Sequence, residues 1–330
     1  MRSASRGSGM RLLALVCFTQ SGWSCRPTAY EQSYLRASHN FAFRRAYPDV
    51  DALFNAFDFG HAALYEAEVR DPSALARTVD TLLYREVTTR VLRHPSRVML
   101  DEHALAPRYT TLAPELAAAF EWAHMLHRQI YDVLADPRIP DEERDARVSQ
   151  VLRYYRSRSD LALSGTPKSM ALMEEQPFSL ALRRAAPSYN SLIWSYHWLQ
   201  MALYEALLAE PPGAARDALV ARAVATFWSL VDSRGRLPSV MPMSPAIAPR
   251  FTARYPDAAA VFDNLHALHD VAGDILASRS VAPMARRSAL LRAAAEYRDS
   301  VTAPSSRAEW ISMAREMDVE AMGGTLVPDR

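Results

Sequence analysis

Twenty consecutive residues, Tyr189-Asn190-Ser191-Leu192-Ile193-Trp194-Ser195-Tyr196-His197-Trp198-Leu199-Gln200-Met201-Ala202-Leu203-Tyr204-Glu205-Ala206-Leu207-Leu208, contain no glycine or proline and a single charged side chain, Glu205. Leucine, alanine and methionine favour helix throughout this stretch. At 100° per residue its apolar and aromatic side chains fall on nearly every side, the pattern of a helix enclosed by other helices. A polar group placed in such a helix costs roughly several kcal/mol to bury unless a partner or a metal compensates it, so His197 and Glu205 carry information.

Outward from this segment, almost every long run reads as helix, with proline at the breaks. Tyr47-Pro48-Asp49 opens a helix to about Val69, and Asp71-Pro72-Ser73 opens the next, to about Leu92. A loop over residues 94–108 leads to a long helix at 111–134, which Asp136-Pro137 stops. Pro140-Asp141-Glu142 starts a helix to about Arg156. Residues 157–187 have the weakest periodicity, with a short apolar piece at 173–184. Helices resume at 189–210 and 214–231. Residues 233–250 form a proline-rich connector, Tyr255-Pro256-Asp257 opens a helix to about Leu276, and Pro283 precedes one to about Arg298. An amphipathic piece at 307–322 precedes a frayed tail, 323–330. No run alternates as a strand with turn signals on both sides. The expected fold is all-α: one domain over 30–322, with eight to ten helices and four of them central.

The chain has 330 residues, 38 basic against 37 acidic, and 49% hydrophobic composition. A formal charge of +1 excludes a bulk electrostatic grip on nucleic acid. Two cysteines exclude a disulfide framework and any four-cysteine metal site made by this chain alone. No run reaches the roughly 18–20 apolar residues of a membrane span. Lys168 is the one lysine, in the polar stretch Ser164 to Ser169, where nothing is expected to desolvate it for Schiff-base chemistry. Nucleotide-binding glycine loops, a Gly-x-Ser-x-Gly elbow, His-Glu-x-x-His and Cys-x-x-Cys-His are all missing from the sequence. At the N-terminus, Arg2, Arg6 and Arg11 flank or precede the apolar run Leu12 to Phe18, and Ser21 to Cys25 follow. That order reads as an export signal over 1–25, implying a periplasmic or secreted protein if it is real and a cytoplasmic one otherwise. Cys25 as a lipid anchor is a lesser reading.

Nine histidines occur, and six sit in four expected helices beside carboxylates. Glu121 and His124 share a helix face at i, i+3, as do Asp263 and His266, and each pair gains a second histidine three positions on, His127 and His269. Asp58 and His61 have the same relation. Asp263, His266 and Asp270 fall within a sector of about 60°. Ala63-Leu64-Tyr65-Glu66-Ala67 recurs as Ala202-Leu203-Tyr204-Glu205-Ala206, which suggests an internal duplication. A competing similarity, Tyr47-Pro48-Asp49 with Tyr255-Pro256-Asp257, pairs the helices differently. Trp122, Trp194, Trp198, Tyr65, Tyr196 and Tyr204 on the same helices read first as core packing.

Four such helices would place carboxylates and imidazoles at fixed depth in a bundle core, as a metal site needs. The pattern resembles the ferritin-like di-iron or di-manganese carboxylate bundles at the level of architecture. The resemblance implies Glu66 and Glu205 as lone carboxylates, with Glu121 and His124, and Asp263 and His266, as the paired ligands. His61, His127, His197, His269 and Asp270 would be further ligands or groups supporting them. The sequence departs from the simple pattern in those extra histidines and in an aspartate at 263. The functional expectation is a metal-dependent oxidoreductase acting with O2 or peroxide on a small-molecule substrate. Its cofactor would be a divalent metal, iron before manganese, zinc or copper. A metal-dependent hydrolase and a non-catalytic helical binding or scaffold protein are the alternatives. Satisfied core histidines are the competing explanation for the residues themselves.

Overall fold

Proline sets the starts of the long helices. Pro48, Pro114, Pro187 and Pro256 each occupy a first-turn position, where the missing N–H would have had no helical partner anyway. The residues before them, Tyr47, Ala113, Ala186 and Tyr255, share φ of −129° to −143° and ψ of 58° to 65°, away from the helical region that a following proline disfavours. In the computed structural model, which describes residues 30–99 and 101–327, these four helices form the centre. The leader read over 1–25 lies outside the described residues.

In chain order the first half contains α1 (Ala42–Ala46), α2 (Pro48–Arg70), a helical segment over 75–91, α3 (Glu102–Leu105), α4 (Pro107–Leu112), α5 (Pro114–Ala135) and α6 (Asp141–Arg156). The second half contains α7 (Ala181–Ala185), α8 (Pro187–Ala209), α9 (Ala214–Val231), α10 (Ser244–Ile247), α11 (Pro249–Arg254), α12 (Pro256–Ala277) and α13 (Arg286–Arg298). The same elements recur in the same order. Pro187 follows Pro48 by 139 residues, and Pro256 follows Pro114 by 142. A helix without counterpart, α14 (Arg307–Glu316), comes last. It starts with a capping box between Ser306 and Glu309.

Matching contacts identify the halves as a duplication. Before α1, Phe41 adopts a left-handed φ of 64°, and Asp132 of α5 accepts the N–H groups of Phe41 and Phe43 at 2.7 and 2.9 Å. Before α7, Leu180 adopts φ 65°, and Asp274 of α12 accepts from Leu180 and Leu182 at 2.8 Å each. The 139/142 alignment is therefore the structural one. The Tyr-Pro-Asp similarity reflects only the proline start that all four long helices use.

The four central helices contact one another in a ring, α2 with α12, α12 with α5, α5 with α8 and α8 with α2. α8 is buried along nearly its whole length, as its sequence requires: Trp194, Tyr196, Trp198 and Tyr204 are each at most 1% exposed. Among the described residues there are no β-strands, only an isolated bridge between Lys168 and Pro304. No described helix is long and apolar enough to cross a membrane.

Five local expectations need correction. The loop at 94–108 contains α3, capped by the Asp101 side chain. The proline-rich connector at 233–250 contains α10 and opens α11, and the helix at 111–134 is interrupted at Ala113, because Pro245, Pro249 and Pro114 each start a new helix. Lys168 is not solvated in its polar stretch. It is 6% exposed, and its Nζ donates to Thr302 O at 2.7 Å and pairs with Asp299 at 3.2 Å. Residues 323–327 are not frayed. Trp198 Nε1 donates to Gly324 O at 2.7 Å, and Leu326 is buried. Gly323 lies over that indole with φ 111°, where a Cβ would come within 2.9 Å of the ring, so both its backbone angle and the close approach require glycine.

Candidate metal centre

The bundle interior brings five imidazoles together: His61 from α2, His124 from α5, His197 from α8, and His266 and His269 from α12. Ring centroids lie 3.8 Å apart for His197 and His266, 4.4 Å for His61 and His269, and 5.4 Å for His124 and His269. His61 and His197 are 5.6 Å apart, with their Nε2 atoms at 3.4 Å. His266 and His269 are 6.1 Å apart, and His61 and His124 6.5 Å. An ion at the roughly 2.0–2.1 Å reach of imidazole nitrogen holds ring centroids within about 6.5 Å of each other, so these spacings are of the right order.

The hydrogen-bond network assigns the tautomers. Nδ1 of His61 lies 2.9 Å from Phe57 O, and Nδ1 of His266 lies 2.7 Å from Phe262 O. A carbonyl only accepts, so both Nδ1 atoms carry the proton and both Nε2 atoms carry the lone pair. His269 is clamped from outside the cluster. Its Nδ1 lies 2.7 Å from the Tyr65 hydroxyl, which donates to the His269 carbonyl at 3.1 Å. With that proton spent, Nδ1–H donates to Tyr65 and Nε2 is again the free acceptor. His127 repeats the arrangement with Tyr204, at 2.9 and 3.2 Å. It stands apart from the five, edge-on to Phe262 with centroids 4.9 Å apart.

Nε2 of His127, His266 and His269 and Nδ1 of His197 are buried without a hydrogen-bond partner among the described residues. Each such orphaned acceptor costs about 1–3 kcal/mol. Burial also holds the rings neutral. His61 is lowered to about 4, first by burial and then by His124. His127 is lowered to about 3 by burial and then His124. His197, His266 and His269 lie well below the ordinary value, through burial and then neighbouring imidazoles. His124 is lowered by burial, opposed by Asp58.

A cavity of about 40 Å³ adjoins the cluster, lined by His61, His124 and His269 and by three carboxylates, Asp58, Glu102 and Glu121. Burial, then Glu121 and Asp58, push Glu102 up to about 8, and burial likewise raises Glu121. Asp58 Oδ2 accepts from Arg128 Nη2 at 2.8 Å, while Asp58 Oδ1 lies 3.9 Å from His124 Nδ1.

Of the residues expected as ligands, His124, His266 and Glu121 border this region, together with His61, His197 and His269. Glu66, Glu205 and Asp263 do not. Glu66 accepts from the backbone N–H of Arg108 at 2.9 Å and from its guanidinium at 2.5 Å, holding the start of α4. Glu205 does the same for Arg250 at the start of α11, at 3.0 and 2.5 Å. These carboxylates serve orphan helix N–H groups. Asp263 accepts from Ser244 N and Oγ at 3.0 and 2.6 Å and from Trp310 Nε1 at 2.9 Å. Asp270 accepts from Trp194 Nε1 at 2.8 Å. As the described side chains stand, no three His, Cys, Asp or Glu groups form an arrangement that could hold a metal ion. Glu102 went unread because it sits in what the sequence presents as a loop.

The chain matches no protein-family model, no curated protein and no solved structure.

Proposed function

We propose that the chain is a metal-dependent oxidoreductase whose centre is the cluster of His61, His124, His197, His266 and His269. The observation that carries this reading is the set of buried, unpartnered ring nitrogens on His197, His266 and His269. Core histidines kept for packing ordinarily have their nitrogens satisfied. His39 and His127 each carry one orphaned Nε2 on their own, whereas in the cluster three such nitrogens belong to one group of packed rings. Here a ring hydrogen bond on the far side of His61, His266 and His269 leaves the lone pair of Nε2 to the cluster, as ligating histidines require. Neutral imidazole with flanking carboxylate is a donor set for iron, manganese, copper or zinc. Such an ion, when bound, supplies one-electron chemistry toward O2 or peroxide if it is redox-active.

The chain's own contributions follow from the geometry. Tyr65 fixes the His269 tautomer. Phe120, stacked on His269 with centroids 3.9 Å apart, and Phe262, 4.0 Å from His266, give the rings apolar walls.

The test is metal analysis and an absorption spectrum on the full chain purified without chelators, alongside His266→Ala and His269→Ala. The expected result is bound transition metal in the wild type, lowered at least tenfold in each variant, with helix content retained. Added metal should raise the wild-type melting midpoint by mass action, and much less that of the variants. Wild type that carries no metal and melts alike with and without added iron, manganese, copper or zinc would overturn the reading and favour a helical binding protein.

A further inference from the structure

The two halves offer an internal comparison at the cavity. The 139/142 alignment places Asp58 opposite His197, Glu102 opposite Ser244, Glu121 opposite Asp263 and His124 opposite His266. In the second half the single carboxylate, Asp263, is met by Ser244 and by the indole N–H of Trp310. The second half thus carries one acid with built-in donors. The first half carries three acids at the corresponding place, and neither Glu102 nor Glu121 accepts a hydrogen bond from a described residue, although both line the cavity. Arg128 occupies only one oxygen of Asp58.

Two further observations point to a ligand. His269, 3% exposed, lines the same cavity with its Nε2 unpartnered. The 3.9 Å between His124 Nδ1 and Asp58 Oδ1 is too long for a hydrogen bond. It lies within the roughly 4 Å that separates two donors of one ion at about 2.1 Å from each.

We infer that the cavity is a second cation site, oxygen-rich, in which Asp58, Glu102, Glu121 and His124 bind a hard divalent ion beside the imidazole cluster. As they stand, these side chains do not form an ion-holding arrangement, so the site requires Glu102 and Glu121 to rotate inward when the ion binds. Three carboxylates with one imidazole select an ion of the manganese or magnesium class, unlike the nitrogen-dominated cluster behind them. This inference goes beyond the oxidoreductase reading and is tested separately from it.

The experiment uses the full chain with Mn2+ alone as probe, its binding followed by loss of the free-ion paramagnetic resonance signal. Cobalt(II) absorption in the same proteins reports the imidazole cluster. Wild type is expected to bind one Mn2+ tightly. The double variant Glu102→Gln with Glu121→Gln, and separately Asp58→Asn, should weaken Mn2+ at least tenfold and keep the cobalt spectrum. His266→Ala should do the reverse. Helix content and melting midpoint measured on each variant separate a lost site from a lost fold. Mn2+ binding that is missing from the wild type, or unchanged in the carboxylate variants, or lost only in His266→Ala, overturns the second site. A missing cobalt spectrum alongside tight Mn2+ would instead overturn the imidazole cluster and leave this site standing.

Discussion

Asparagine at position 263 should separate a carboxylate that holds the fold from one that holds an ion. Asp263 takes three buried donors: Ser244 N–H, Ser244 Oγ–H and Trp310 Nε1–H. An amide keeps one acceptor oxygen of the two, so at least one donor is orphaned, at about 1–3 kcal/mol. The pH dependence of that loss is specific. Burial pushes the Asp263 carboxyl up from 3.8 to about 7, with its hydrogen bonds from Ser244 and Trp310 opposing. Between those values the folded chain holds a proton that the unfolded chain has released. The contribution of Asp263 is therefore fully present below about pH 4 and lost as pH rises through 7, at up to about 1.4 kcal/mol per pH unit. Asparagine does not titrate. Relative to wild type, Asp263→Asn should gain about 2–3 kcal/mol between pH 5 and pH 7 and little more by pH 8, whatever the offset at pH 5. Urea unfolding followed by circular dichroism at pH 5, 6, 7 and 8 measures it, with unchanged m values as the control. Metal uptake should stay at the wild-type level, while His266→Ala, three residues on, loses it. A variant that loses stability relative to wild type as pH rises would refute the electrostatic argument. Metal loss matching that of His266→Ala would return Asp263 to the ligand set.

Tyr65→Phe and Tyr204→Phe make a paired test, since the two tyrosines clamp His269 and His127 alike. Each should cost about 1 kcal/mol of stability, but only Tyr65→Phe should weaken metal binding, by about 10–100-fold, as measured by chelator competition. His127→Gln tests acid behaviour. His127 is depressed from 6.5 to about 3, by burial and then His124, so its contribution is present above pH 6.5 and lost as pH falls toward 3. The variant's deficit in urea should therefore narrow by about 1.4 kcal/mol per pH unit below 6.5, and a deficit that grows in acid would count against it. Glu205→Gln should destabilise by about 1.5–3 kcal/mol, by weakening the charged hydrogen bonds that hold the start of α11, and should leave metal content unchanged.

The helical fold was legible because its signals are local: proline starts, alanine-leucine runs and one helix apolar on all sides. The duplication was only half legible, since the residues that would advertise it have diverged where the halves differ in role. Asp58 faces His197 in the alignment and His61 faces Gln200, and the offset itself shifts from 139 to 142 between α9 and α10. The histidines stood out because an imidazole in an enclosed helix needs partners for its ring nitrogens. The carboxylates misled for a geometric reason. A residue three before a histidine on a helix lies about 60° around from it, enough for His266 to enter the cluster while Asp263 reaches α10 and α14. Glu66 and Glu205 follow Tyr65 and Tyr204 by one residue, about 100° further round, so with the tyrosines turned inward the glutamates reach the next short helix. Depth and face, which spacing alone does not give, decide whether an acid beside a histidine is its co-ligand or a strut of the next turn. Glu121 is the case in point. It has the same spacing to His124 as Asp263 has to His266, yet it borders the cavity, because the first half has no helix corresponding to α14 to take its place as donor.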